Sequence, residues 1–223
     1  MKKLTLASLP FLAVVALLAA GCGGSGAKSA ASTSSRRVAD YAPVKPTCPA
    51  AWKPGWQKLA NTIHAAVYCP SWVPSPLTGQ ITGQVDYGGG GGPAVSVSKD
   101  RSYLVSMAWA EPQTGEVHVN LRGYPGRIKV PTCISEDYNG GKLTKTPVPC
   151  FADARGTVTE RGITATVYTV NQDADLWHVL YAWHYRGGLY SVSEHIALPL
   201  TYKMVVANLH RMLNGLVLVQ PAA

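Results

Sequence analysis

With 223 residues, and 20 Lys and Arg against 12 Asp and Glu, the chain has a formal net charge of +8. Its basic residues are scattered, with no run of five or six, so nucleic-acid binding is unsupported, and the positive balance reads as a solvated surface, with contact to anionic lipid headgroups or wall polymers as the alternative. No Gly-x-Ser-x-Gly, His-Glu-x-x-His, Walker or dinucleotide fingerprint occurs, which removes the enzyme classes that announce themselves through a local motif.

Met1-Lys2-Lys3 is followed by an apolar run from Leu4 to Ala20 that contains Pro10 and stops at Gly21-Cys22. A charged start, an apolar stretch of about 17 residues and small residues before a cut point form the layout of a secretory signal peptide, and the stretch is short for a permanent span. Residues 1–21 are therefore expected to be removed, and losing Lys2 and Lys3 lowers the charge from +8 to +6.

The segment Leu17-Leu18-Ala19-Ala20-Gly21-Cys22 resembles the bacterial lipobox, with Ala19 standing where that motif more often has leucine. The resemblance implies that the Cys22 thiol is diacylated, the preceding peptide is cut away and the new amino terminus is acylated. Two or three acyl chains anchor stably where one does so only marginally. The implied partner is the membrane, and the implied location is the extracytoplasmic face of the cell membrane. Gly23 follows the cysteine, so the aspartate that retains some lipoproteins in an inner membrane is missing. Residues 22–47, rich in Gly, Ser, Ala and Thr, read as a lipidated flexible tether with a root-mean-square span of about 25 to 30 Å.

Beyond the tether lie about 175 residues, the size of one domain, expected over 48–223. Setting Cys22 aside leaves Cys48, Cys69, Cys133 and Cys150, an even number in a compartment that permits disulfides. Of three possible connectivities we favour Cys48–Cys69 and Cys133–Cys150, each stapling a local loop beside Pro and Gly. A metal-binding role for the cysteines is disfavoured by the lack of any Cys-x-x-Cys pair or close Cys and His spacing.

Trp56, Leu59, Ala60, Ile63 and Val67 predict a helix of about 12 to 14 residues from Pro54. The Pro-rich stretch 69–76 predicts an extended segment anchored by a buried Trp72. Strands are expected at 79–87, 94–98, 103–110 and 116–121, with Val117, Val119 and Leu121 alternating with His118 and Asn120. The five glycines 88–92 read as a hairpin tip, and 133–150 as a polar, disulfide-pinned surface loop. Three antiparallel strands follow at 162–170, 176–185 and 189–196. A Gly187-Gly188 turn would set Tyr185 against Tyr190, Trp183 against Val192 and Tyr181 against Glu194. That choice puts the aromatic residues on one face and His178, His184, Ser191, Ser193 and His195 on a wetter one. After Pro199, Leu200, Met204, Val205, Leu209, Met212, Leu213 and Leu216 predict a core-packing helix ending near Gly215.

The expected class is α+β: an antiparallel sheet flanked by an N-terminal and a C-terminal helix. This order resembles the sandwich of Mog1 and PsbP-type proteins, a scaffold also used by some actinobacterial surface lipoproteins. The C-terminal stretch is similar to uncharacterised secreted domains of high-GC bacteria. Neither likeness implies an activity.

Candidate ligand contacts are Glu194, His178 and His195. His195 is expected diagonal to His178 at about 7 to 8 Å, and two ligands do not make a metal site, so neither a metal nor another cofactor is expected. Asp173 or Asp175 would be the nearest source of a third. Glu194, on the apolar face beside Tyr181, should bond a tyrosine or have its pKa raised by burial. The expected function is that of a non-catalytic envelope lipoprotein binding a small ligand, a lipid or a partner protein. A cell-envelope hydrolase and a purely structural role are the alternatives.

Overall fold

Trp56, Leu59, Ala60 and Ile63 fall three or four apart, and they form the buried stripe of helix α1 (Lys53–Ile63). The computed structural model describes residues 45–81, 94–111, 115–170 and 177–222. The leader, Cys22, the five-glycine run, Leu176, Asp173 and Asp175 lie outside the described residues. Helix α1 ends sooner than its spacing suggested because His64 takes a left-handed conformation at φ 48°. Val67, expected on the helical face, instead opens strand β1 (Val67–Pro70). In the following segment Val73 and Leu77 are the fully buried anchors. Trp72 is only partly buried, with the Arg211 guanidinium 3.9 Å above its ring. Gly79 N–H bonds the Pro76 carbonyl at 3.1 Å, and Thr78–Ile81 form a short helix, α2, where a strand was expected.

The remaining elements are β2 (Ala94–Val97), β3 (Tyr103–Glu111), β4 (Gly115–Tyr124), β5 (Thr132–Asn139), β6 (Lys142–Pro149), β7 (Thr157–Glu160), β8 (Ile163–Val170), β9 (His178–Tyr185), β10 (Gly188–His195), α3 (Tyr202–Asn214) and β11 (Leu216–Val219). Seven strands form one antiparallel sheet in the order β2-β3-β4-β10-β9-β8-β7, while β1 pairs with β11 in a separate ribbon. The protein is thus α+β, built on an antiparallel sheet.

Strand alternation sends Val105, Met107, Val117, Val119, Val179, Tyr181, Trp183, Tyr190 and Val192 to one face, where they share a core with the α1 stripe and with Val205, Leu209, Met212 and Leu213 of α3. Met204 of the expected stripe is exposed, and Leu216 belongs to β11. Thr201 caps α3 by accepting a bond from Met204 N–H at 3.3 Å. Tyr68 of β1 meets Trp183 and Tyr190 edge-on, each with ring centroids 5.1 Å away. Burial beside Tyr68 and Tyr185 pushes the Tyr190 phenol up to about 12, and its hydroxyl donates to the Ala66 carbonyl at 3.1 Å.

The turn between β9 and β10 is Arg186-Gly187, at φ 45° and 77°, and not Gly187-Gly188. Two successive left-handed residues give the turn whose twist matches that of the strands. Tyr185 therefore faces Gly188, Trp183 faces Tyr190, Tyr181 faces Val192 and Val179 faces Glu194, a shift from the expected pairs that keeps the two face assignments. The second face is not wet along its length. His178, Ser191 and Ser193 are buried, and Leu180, Ala182, Leu189 and Val170 form a smaller core with Phe151. Tyr124, Val130 and Cys150 pack against that core, which is why the face is covered.

The polar surface loop expected over 133–150 is a β5–β6 ribbon of eight register pairs, Thr132↔Pro149 to Asn139↔Lys142, with a Gly140-Gly141 turn at φ 57° and 85°. Cys133–Cys150 closes its base, and Cys48–Cys69 ties the segment before α1 to β1. Among the described residues no helix is long and apolar enough to cross a membrane.

The first disulfide closes a loop with a sequence separation of 21. Replacing both Cys48 and Cys69 by alanine should lower unfolding stability in urea by about 3 kcal/mol, since the unfolded chain regains that loop's entropy. An unchanged midpoint and slope would show that the staple contributes nothing.

Candidate functional site

Gly115 starts β4 at φ 107°, so close to the loop after β10 that a Cβ there would lie 1.7 Å from the Leu198 carbonyl oxygen. Only glycine allows this approach. It lets Glu116 N–H donate to the Leu198 carbonyl at 2.8 Å, which fixes the start of β4 beside the end of β10. From there Glu116, His118 and Asn120 alternate onto the second face of the sheet. β10 lies next to β4 with Ser193 opposite Asn120 and Glu194 opposite Val119, and β9 lies beyond it with His178 opposite His195. Three neighbouring strands thus gather one carboxylate and three of the six histidines.

His195 Nδ1 is hydrogen-bonded to Glu116 Oε1, and His118 Nδ1 lies 4.0 Å from the same oxygen. Ring centroids of His178 and His195 are 5.0 Å apart at an interplanar angle of 12°, and His118 stands edge-on to His178 at 5.2 Å. The Glu116, His118 and His195 side chains are 37%, 25% and 22% exposed, so solvent reaches all three, while His178 behind them is buried. His118 Nε2 contacts Asn120 Oδ1 at 3.1 Å and Ser106 Oγ at 2.9 Å. An amide oxygen only accepts, so in the tautomer that makes the Asn120 bond the proton sits on Nε2 and the lone pair on Nδ1.

That tautomer bears on the chemistry. Ser106, His118 and Glu116 are the residue types of a nucleophile, base and orienting acid, but a protonated Nε2 does not accept the serine proton, and 4.0 Å is too long for Glu116 to orient the ring. What the group offers is a carboxylate oxygen and two imidazole nitrogens converging on a partly open point, the His195 nitrogen carrying the proton that Glu116 accepts.

Glu194 is not part of this group. Alternation turns it to the opposite face, where it is fully buried opposite Val179. Its bond partner is not a tyrosine: Asn208 Nδ2 of α3 donates to Oε1 at 2.9 Å, while Oε2 has no hydrogen-bond partner among the described residues. Burial pushes this carboxyl up to about 8, and the Asn208 bond offsets only part of the shift. His178 and His195 do come together, and as direct register partners rather than diagonal ones. His184 is exposed and bonds the Ile128 carbonyl at 2.8 Å.

Glu116 and His118 were missed as site residues. The alternation of His118 and Asn120 with Val117 and Val119 was the one signal available. It gave their face, but not that β4 pairs with a strand about seventy residues later.

Glu194 yields a signed prediction. Its folded pKa of about 8 stands above its ordinary value of 4.5, so the folded state holds the extra proton between those values. The stabilisation is full below about 4.5 and is lost as pH rises through about 8. Urea midpoints of the natural chain should fall between pH 5 and pH 8, and Glu194→Gln should flatten that slope. Equal slopes in both chains would mean that the carboxyl titrates normally.

No family profile, curated protein or solved structure matches the chain.

Proposed function

We propose that the chain is an exported lipoprotein whose domain is a non-catalytic binding module on the extracytoplasmic face of the cell membrane. Residues 1–21 are the cleaved signal peptide, Cys22 carries the acyl chains and residues 22–47 are the tether. Residues 48–223 are one domain, a sheet flanked by an N-terminal and a C-terminal helix. Its ligand is a small molecule or ion taken up at the patch around Glu116, His118 and His195. Nucleic acid is not a partner.

The observation that carries this reading is the fate of the cysteines. Four of the five are bonded to each other in pairs within the domain, as suits an oxidising compartment. The cysteine outside both bridges is Cys22, which ends the apolar leader in a lipobox-like sequence. A binding role draws support from a polar, partly exposed cluster set beside strands β9 and β10, which are packed on both faces along most of their length. With Nε2 donating to Asn120, His118 does not take the Ser106 proton, which weighs against a hydrolase that uses Ser106 as nucleophile.

Intact-mass analysis of the chain extracted from membranes in detergent tests the anchor. The natural chain should begin at Cys22 and carry the mass of two or three acyl chains, and Cys22→Ser should retain residues 1–21 and carry none. A natural chain that begins elsewhere, or bears no acyl mass, would refute the proposal.

A further inference from the structure

We infer that Glu116, His118 and His195 bind a divalent transition-metal ion of the Zn2+ and Cu2+ class. This rests on the reading that the patch is where the domain takes its ligand, and it names that ligand's chemistry.

One ligand atom from each residue lies within 4.8 Å of the other two. A tetrahedral ion with bonds of about 2.0 to 2.1 Å holds its ligand atoms about 3.4 Å apart. Glu116 Oε1 is hydrogen-bonded to His195 Nδ1 and 4.0 Å from His118 Nδ1, so binding takes side-chain rotations and the loss of the His195 Nδ1 proton, which passes to Nε2 of the same ring or to solvent. All three side chains are partly exposed, which leaves them room to adjust and the ion a way in. Two imidazole nitrogens and one carboxylate oxygen suit Zn2+ or Cu2+, whereas Ca2+ and Mg2+ call for oxygen ligands. Three protein ligands also leave one position for water or a solute.

The surroundings are those of a built site. Asn120 is 2% exposed, hence fixed, and its Oδ1 accepts from His118 Nε2 so that Nδ1 is presented toward Glu116. An acceptor on the far ring nitrogen accompanies nearly all metal-bound histidines, orienting the ring and raising its basicity. The His195 ring is stacked on buried His178, and the Glu116 backbone is tied to Leu198. A plain ion pair needs only Glu116 and His195, whereas here His118 Nδ1 also lies 4.0 Å from the same oxygen.

The test titrates ZnCl2 and CuCl2 into the whole chain, chelator-stripped and kept in detergent, by calorimetry with native mass spectrometry of the same sample. One ion per chain is expected. Asn120→Ala should weaken binding by about 10- to 100-fold. Glu116→Gln, His118→Ala and His195→Ala should weaken it at least as much, while His184→Ala and His210→Ala should leave it unchanged. Should a variant fail to fold, imidazole resonances of the natural chain decide: Zn2+ should shift those of His118 and His195, and not those of His64, His184 and His210. Absence of a stoichiometric ion, binding that survives in folded His118→Ala and His195→Ala, or shifts confined to other histidines would overturn the inference. A chain that retains an organic solute at the patch but takes no metal would overturn the metal alone. One that takes neither would overturn the ligand-binding reading as well.

Discussion

β10 lies between β4 and β9 in the middle of the sheet, and both of its faces are buried. Each of its residues is committed by alternation to one of two unlike environments. Tyr190, Val192 and Glu194 enter the core beneath the helices, while Leu189, Ser191, Ser193 and His195 enter the other face. Shifting the strand by one residue would drive Glu194 among the histidines and His195 into the aromatic core. Other contacts hang on this placement. Tyr68, and with it the β1–β11 ribbon, packs on Tyr190, Asn208 of α3 bonds Glu194, and Glu116 meets His195.

The two carboxylates beside this strand are treated in opposite ways. Glu116 lies at the rim with an imidazole N–H to accept from, and solvent reaches it. Glu194 has one amide N–H and no cation bonded to it, and an uncompensated buried charge costs far more than a neutral acid. Protonation is the cheaper solution, which is why burial raises its pKa. Its neighbour Tyr181 is likewise pushed up, to about 12, chiefly by burial. The core side is held by groups that stay neutral, and the rim side by groups able to meet a cation.

Local periodicity made much of this readable. The stripes of α1 and α3, the β9 and β10 strands and their two faces follow from spacings of 3.6 and 2 within a few residues, and the parity of the cysteines pointed to disulfides. The register of the last hairpin depended on Arg186 accepting a left-handed φ of 45°, which residue type alone disfavours. The β1–β11 ribbon joins segments about 150 residues apart, and β4 reaches β10 across about seventy, so nothing local specified either. His178 and His195 share a hairpin and were visible as a pair. Glu116 and His118 come from another strand, and the cluster emerged only with the sheet order.

The β4–β10 pairing is therefore the claim on which the account stands. Cross-strand nuclear Overhauser effects between backbone protons of the isotopically labelled chain test it directly. The account predicts contacts joining Ser193 to Asn120, Ser191 to Arg122 and Leu189 to Tyr124. Contacts offset by two residues, or joining β10 to a strand other than β4 and β9, would contradict it and would disperse Glu116, His118 and His195.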